Sequence, residues 1–130
     1  YIALNGNYNN SYTICSSGWS NQYVTIIPTG TLGVRNTYIV TIYADNNGAG
    51  APYVAGASVL FTPGNTNGSG LDNEYQPLTS MHQGYGGGYS VWFAARAGSG
   101  QTAAGLAIKL CNWPTISGGL TVKASLIQGV

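Results

Sequence analysis

The chain has 130 residues, yet only four are Lys or Arg and three are Asp or Glu, against 20 Gly and 10 Tyr. A globular domain ordinarily carries about a quarter charged residues, so functions that need a charged surface are excluded at the outset. The four cations, Arg35, Arg96, Lys109 and Lys123, are scattered singly and cannot neutralise a run of phosphates, which argues against nucleic acid and against anionic membranes as partners.

A hydrophobic fraction of 44% separates the chain from disordered sequences, which pair few apolar residues with high net charge. The length fits one domain spanning residues 1–130 with a single core. The longest apolar stretch, around residues 91–95, is far too short to cross a bilayer as a helix, so no membrane insertion is expected. No basic region followed by an apolar run opens the chain, so a secreted form is expected to have lost its signal already. A surface of Asn, Thr, Ser, Gly and Tyr hydrogen-bonds and stacks without desolvating ions. It suits neutral partners: glycans, ordered surfaces or other copies of the same chain.

In chain order, residues 2–4 and 12–15 supply short candidate strands, and residues 23–27 read as the first clear one. Residues 37–44 place Tyr38, Val40 and Ile42 on one face and Ile39 and Tyr43 on the other, which predicts a central strand. Residues 53–61 alternate Tyr53, Ala55, Ala57, Val59 and Phe61 with smaller residues. Residues 89–95 set Val91 and Phe93 opposite Ser90 and Trp92, and Trp92 is expected in the core. Leu106, Ile108 and Leu110 alternate with Ala107, Lys109 and Cys111; Leu120, Val122, Ala124 and Leu126 alternate with Thr121, Lys123 and Ser125. Both of these last strands are expected to have a wet face. Turn signals lie at residues 45–48, 63–70, 84–88, 97–100 and 112–114, and no segment keeps a helical apolar period. The pattern predicts an all-β fold, an antiparallel sandwich or barrel.

Two cysteines, Cys15 and Cys111, allow one internal pairing, which in a small charge-poor chain reads as a disulfide formed in an oxidising compartment. The alternative is two buried thiols. The bridge would close a loop nearly as long as the domain, worth about 4 to 5 kcal/mol in a chain-entropy treatment.

Catalytic signals are sparse. His82 is the only histidine, no serine lies in a nucleophile-elbow pattern, and no phosphate-binding loop occurs, so no enzymatic activity and no cofactor are expected. Asp72 and Glu74, in Asp72-Asn73-Glu74, form a weak calcium candidate that lacks the EF-hand spacing and otherwise reads as a solvated loop. Asn9-Asn10-Ser11 and Asn67-Gly68-Ser69 match the N-glycosylation acceptor pattern. The aromatics carry more. Trp19, with Asn21 nearby, and Trp113, preceded by Asn112, sit in loop-like segments rich in amides and hydroxyls, and a bridge from Cys15 to Cys111 would draw them together. A flat ring against a sugar's C–H face with amides at its rim is the chemistry of a glycan site, so Trp19, Asn21, Asn112 and Trp113 form a candidate ligand cluster. The competing reading has both tryptophans covering the disulfide and closing one end of the core.

A charge-poor, disulfide-clamped all-β chain with the alternating segment Gly118-Gly119-Leu120-Thr121-Val122-Lys123-Ala124-Ser125-Leu126 resembles extracellular pilus subunits and fimbrial adhesin domains. The resemblance implies an immunoglobulin-like sandwich, assembly by one subunit lending a strand to the next, and glycan binding at a fibre tip. Tyr1-Ile2-Ala3-Leu4 is the candidate donor strand. The sequence thus predicts an antiparallel β-sandwich, immunoglobulin-like or jelly-roll-like, with one disulfide. It would work by contact outside the cell or on its surface, as a pilus, fimbrial or similar filament subunit or its adhesin domain. A lectin-like carbohydrate-binding module and a viral fibre-tip or coat domain are the alternatives.

Overall fold

The computed structural model describes residues 2–8, 23–45, 54–75, 79–83, 90–111 and 120–128. Every regular element among them is a strand: β1 (Ile2–Tyr8), β2 (Val24–Ile27), β3 (Tyr38–Asp45), β4 (Val54–Phe61), β5 (Asn65–Thr66), β6 (Leu71–Tyr75), β7 (Thr79–Gln83), β8 (Ser90–Arg96), β9 (Thr102–Ala103), β10 (Gly105–Cys111) and β11 (Leu120–Gln128). They form a five-stranded sheet in the order β1-β11-β3-β4-β7, a four-stranded sheet in the order β2-β10-β8-β6, and a two-stranded piece of β5 and β9. All pairings are antiparallel.

In the five-stranded sheet β3 holds the centre, as its two apolar faces predict. Tyr38, Val40 and Ile42 are buried, and from β4 so are Ala57 and Val59, each directly opposite an inward residue of β3. On the other face Thr41 and Ser58 pair their hydroxyls at 3.0 Å, while Ile39 lies exposed across from Leu60. Strand β1 runs beside β11 without a break from Ile2↔Leu126 to Tyr8↔Leu120. At the opposite edge β7 pairs with β4 only from Gln83↔Val54 to Thr79↔Ser58, so residues 59–61 extend past its end.

The four-stranded sheet is built on an unbroken pair, β8 with β10, from Arg96↔Gly105 to Ser90↔Cys111. Val91 and Phe93 are buried on one face with Leu106 and Ile108. Both edge strands carry a bulge. On β2, Ile27 pairs with Leu106 and Thr25 with Ala107, so the extra residue lets Ile26 and Ile27 both be buried. On β6, Leu71 faces Arg96 and Glu74 faces Ala94, three residues against two. Such an insertion reverses the alternation of faces beyond it.

Side chains of both sheets border one cleft of about 390 Å³, where Val59 and Phe61 of β4 meet Phe93 and Ala95 of β8 and Leu106 of β10. Backbone bonds from Gly30 to Ala103, Ala104 to Gly64, Gly68 to Gly98 and Ala97 to Gly70 lace the segments around β5 and β9 to one another.

The structure corrects two expectations. Residues 71–75, whose acids read as a solvated loop, form a strand held by backbone pairing with β8, and residues 79–83 form another beside β4, although neither sequence shows the apolar alternation of the others. The wet face expected for β10 is dry: Ala107 is 0% and Lys109 4% exposed. Residues 12–15 lie outside the described residues.

A Cβ on Gly105 would collide with the carbonyl oxygen of Ile27 and lie 2.9 Å from the backbone nitrogen of Thr29, whereas one on Gly64 would meet nothing within 4 Å. Backbone cannot swing aside as a side chain can, so Gly105→Ala is expected to destabilise the fold by about 1–3 kcal/mol. Gly64→Ala should stay within about 0.5 kcal/mol in the same urea-denaturation experiment.

Candidate functional site

The densest polar chemistry among the described residues lies on the face of the four-stranded sheet opposite Phe93. Lys109 projects there from the middle of β10, with Trp92 directly across from it on β8. The alanines Ala107 and Ala94 occupy the next row, and their small side chains leave room for Tyr23 to pack against them, with Leu71 and Trp92 at the margin. Lys109 is therefore buried beneath larger neighbours rather than extended into solvent.

A buried ammonium needs a counter-charge. It finds one in Glu74, whose Oε1 accepts from Lys109 Nζ and also from the Tyr23 hydroxyl at 3.0 Å. The same ammonium stands 5.3 Å from the centre of the Tyr23 ring and 5.8 Å from that of Trp92, within the range of cation–π attraction. The Glu74 side chain keeps 24% of its surface exposed, so the pair is sealed on the lysine side and damp on the carboxylate side. One row on, Arg96 donates through Nε to Thr25 Oγ1 at 3.2 Å. Arg96 is paired with Gly105, whose missing side chain leaves the guanidinium a path across β10. Burial pushes the Tyr23 phenol well above its ordinary range, and the hydrogen bond to Glu74 and that carboxylate's charge push it the same way.

Polar bonds thus tie both edge strands of the sheet to its centre: β6 through Glu74, and the β2 end through Tyr23 and Thr25. The ammonium is held by a carboxylate and two rings and the carboxylate is doubly engaged, an arrangement that fixes strands.

Asp72 and Glu74, paired in sequence as a calcium candidate, part company in the structure: Glu74 serves Lys109, while Asp72 borders the cleft between the sheets. No group of three or more His, Cys, Asp or Glu gathers among the described residues. Ile2, Ala3 and Leu4 lie on β1, each in register with β11, and Tyr1 lies outside the described residues. Cys111 ends β10 opposite Ser90, and Cys15 lies outside the described residues, as do Trp19, Asn21, Asn112 and Trp113. His82 sits on β7 in register with Ala55. Trp92, expected in the core, is half-buried beside Lys109. Tyr23, Lys109 and Arg96 were not singled out by sequence reasoning. The available signal was arithmetic: with three acids in the chain, a lysine inside the apolar run Leu106-Ala107-Ile108-Lys109-Leu110 has few places to find its charge partner.

No protein family, no curated protein and no solved structure matches the chain.

Glu74→Gln leaves the Lys109 ammonium buried without its counter-ion and is expected to cost about 3 kcal/mol in chemical denaturation. The double variant Lys109→Met/Glu74→Leu should recover most of that loss, and a double-mutant cycle measures the coupling. For Tyr23 the folded state holds its proton while the unfolded chain releases it near the ordinary value of about 10. Stability from this group is therefore complete below that pH and falls above it by up to about 1.4 kcal/mol per pH unit. Denaturation curves at alkaline pH should show a shallower decline in Tyr23→Phe than in the parent.

Proposed function

We propose that this chain is a non-enzymatic extracellular structural or adhesion protein, a subunit of a pilus, fimbrial or similar filament that assembles by β-strand complementation, or the adhesin domain of one. Its two larger sheets are the layers of an immunoglobulin-like or jelly-roll-like sandwich, and Cys15 with Cys111 is its disulfide clamp. The alternating burial on β3 and β4 and the cleft bordered by both sheets support the two-layer reading.

The observation that carries the proposal is β1. It is a seven-residue edge strand, without charge or proline, whose register partner is the single strand β11. Long, flat, uncharged edges are what proteins ordinarily avoid, because they offer a row of backbone donors and acceptors to another chain. Strand lending needs that kind of segment: backbone bonds supply affinity and alternate side chains fill pockets. Ile2, Leu4, Gly6 and Tyr8 stand in register with Leu126, Ala124, Val122 and Leu120, and a neighbouring copy can present the same four residues in the same register. The partners are other copies of the chain, with neutral glycans as the class of target for an adhesin.

A variant lacking residues 1–8 and a synthetic peptide of those eight residues test the reading. The intact chain should form elongated oligomers in sedimentation velocity, and the truncated chain should not elongate but should bind the peptide stoichiometrically. An intact chain that stays monomeric at millimolar concentration, together with a truncated chain that ignores the peptide, would sink the proposal.

A further inference from the structure

We infer that Asn67, in the motif Asn67-Gly68-Ser69, is an acceptor site for an N-linked glycan. The motif needs a solvent-facing segment, and the structure provides one: Asn67, Gly68, Ser69 and Gly70 are all exposed in the connection between β5 and β6. The atoms around it carry the assignment beyond the motif. After β8 the chain passes through Gly100 and Gln101, both at positive φ (70° and 61°), and the Gly100 N–H donates to Asn67 Oδ1 at 3.2 Å. A backbone N–H only donates, so the accepting atom must be the amide oxygen, and Nδ2, the atom that takes the sugar, has no partner among the described residues. Gly68 donates in turn to the Gly98 carbonyl at 2.8 Å, so the segment is held at two consecutive residues.

Glycosylation joins Nδ2 to the anomeric carbon of an oligosaccharide carried on a polyisoprenyl diphosphate. The carbon–oxygen bond to the diphosphate breaks, that group leaves with the bonding pair, and Nδ2 gives up one proton to the transferase. Oδ1 forms no bond to the sugar, so the hydrogen bond from Gly100 survives in the product, and no buried surface has to open to admit the glycan. The position also has a physical use. None of residues 62–70 and 97–104, which carry the two-stranded piece of β5 and β9, is charged. A glycan there places a bulky, hydrated group over strand edges that charge leaves undefended. The inference rests on the reading of the chain as extracellular and not on strand lending.

The test is expression of the full chain behind a secretion signal in cultured animal cells. Secreted and cell-retained protein are both treated with peptide N-glycosidase in heavy-oxygen water, which labels each formerly glycosylated asparagine and leaves one deamidated earlier unlabelled. Tandem mass spectrometry then reads Asn67 separately from Asn9. Asn67 should carry the label in the parent and in Ser69→Thr and lose it in Ser69→Ala, which leaves Asn67 and its bond to Gly100 in place. Ser69 is exposed, so the circular dichroism of Ser69→Ala should match that of the parent. An unlabelled Asn67 in the parent, or one labelled equally in Ser69→Ala, overturns the inference, and neither result bears on the oligomers that test strand lending.

Discussion

An ammonium cannot be taken out of water alone, and the placement of Lys109 under Tyr23 and Trp92 is the constraint around which the four-stranded sheet is arranged. The counter-charge must come from an edge strand, because both neighbours of β10 on that row already contribute rings. Strand β6 supplies it only because one extra residue turns Glu74 to the lysine's side. In regular pairing Glu74 would face the interior and Lys109 would be an unpaired buried charge, an arrangement that costs several kcal/mol. The same added residue turns Tyr75 to the opposite side, in register with Phe93 and beside Asp72 at the border of the cleft. One backbone irregularity therefore decides which side chains of β6 serve the lysine and which line the cleft.

The scarce charges are also unevenly spent between the sheets. The four-stranded sheet has short, bulged edges, and β6 carries two of the three acids in the chain. The five-stranded sheet ends in β1 and β7, neither of which contains a charged residue or a proline. Bulges and charges at an edge discourage pairing with other chains. One sheet is defended and the other is not, and the filament reading draws its weight from that asymmetry.

The strands with clean apolar alternation were legible in the sequence, and β3, β4, β8, β10 and β11 stand within a residue or two of where their patterns place them. Strands β6 and β7 were not legible, since Leu71-Asp72-Asn73-Glu74-Tyr75 and Thr79-Ser80-Met81-His82-Gln83 show no apolar period. The outer face of β10 was misjudged for a different reason. Ala107 and Lys109 look like a solvated face in isolation, and what buries them are Tyr23 and Trp92, brought over by pairings that no local spacing encodes. Asp72 and Glu74 drew notice as acids, but their partners depend on a bulge visible only once β6 is laid against β8.

The order of strands in the five-stranded sheet has a consequence for how the molecule comes into being. Strand β11 follows the ten others in the chain, yet it lies inside the sheet, between β1 and β3. While the polypeptide emerges from the ribosome, β1 therefore has no lasting neighbour, and the central strand β3 waits with one flank bare. The sheet closes only when β11 has met both β1 and β3, contacts that span most of the sequence. Topologies that depend on such distant pairings fold slowly and leave sticky edges uncovered in the meantime. For a chain with almost no charge to hold its copies apart, that interval before closure is when its strand edges are least defended.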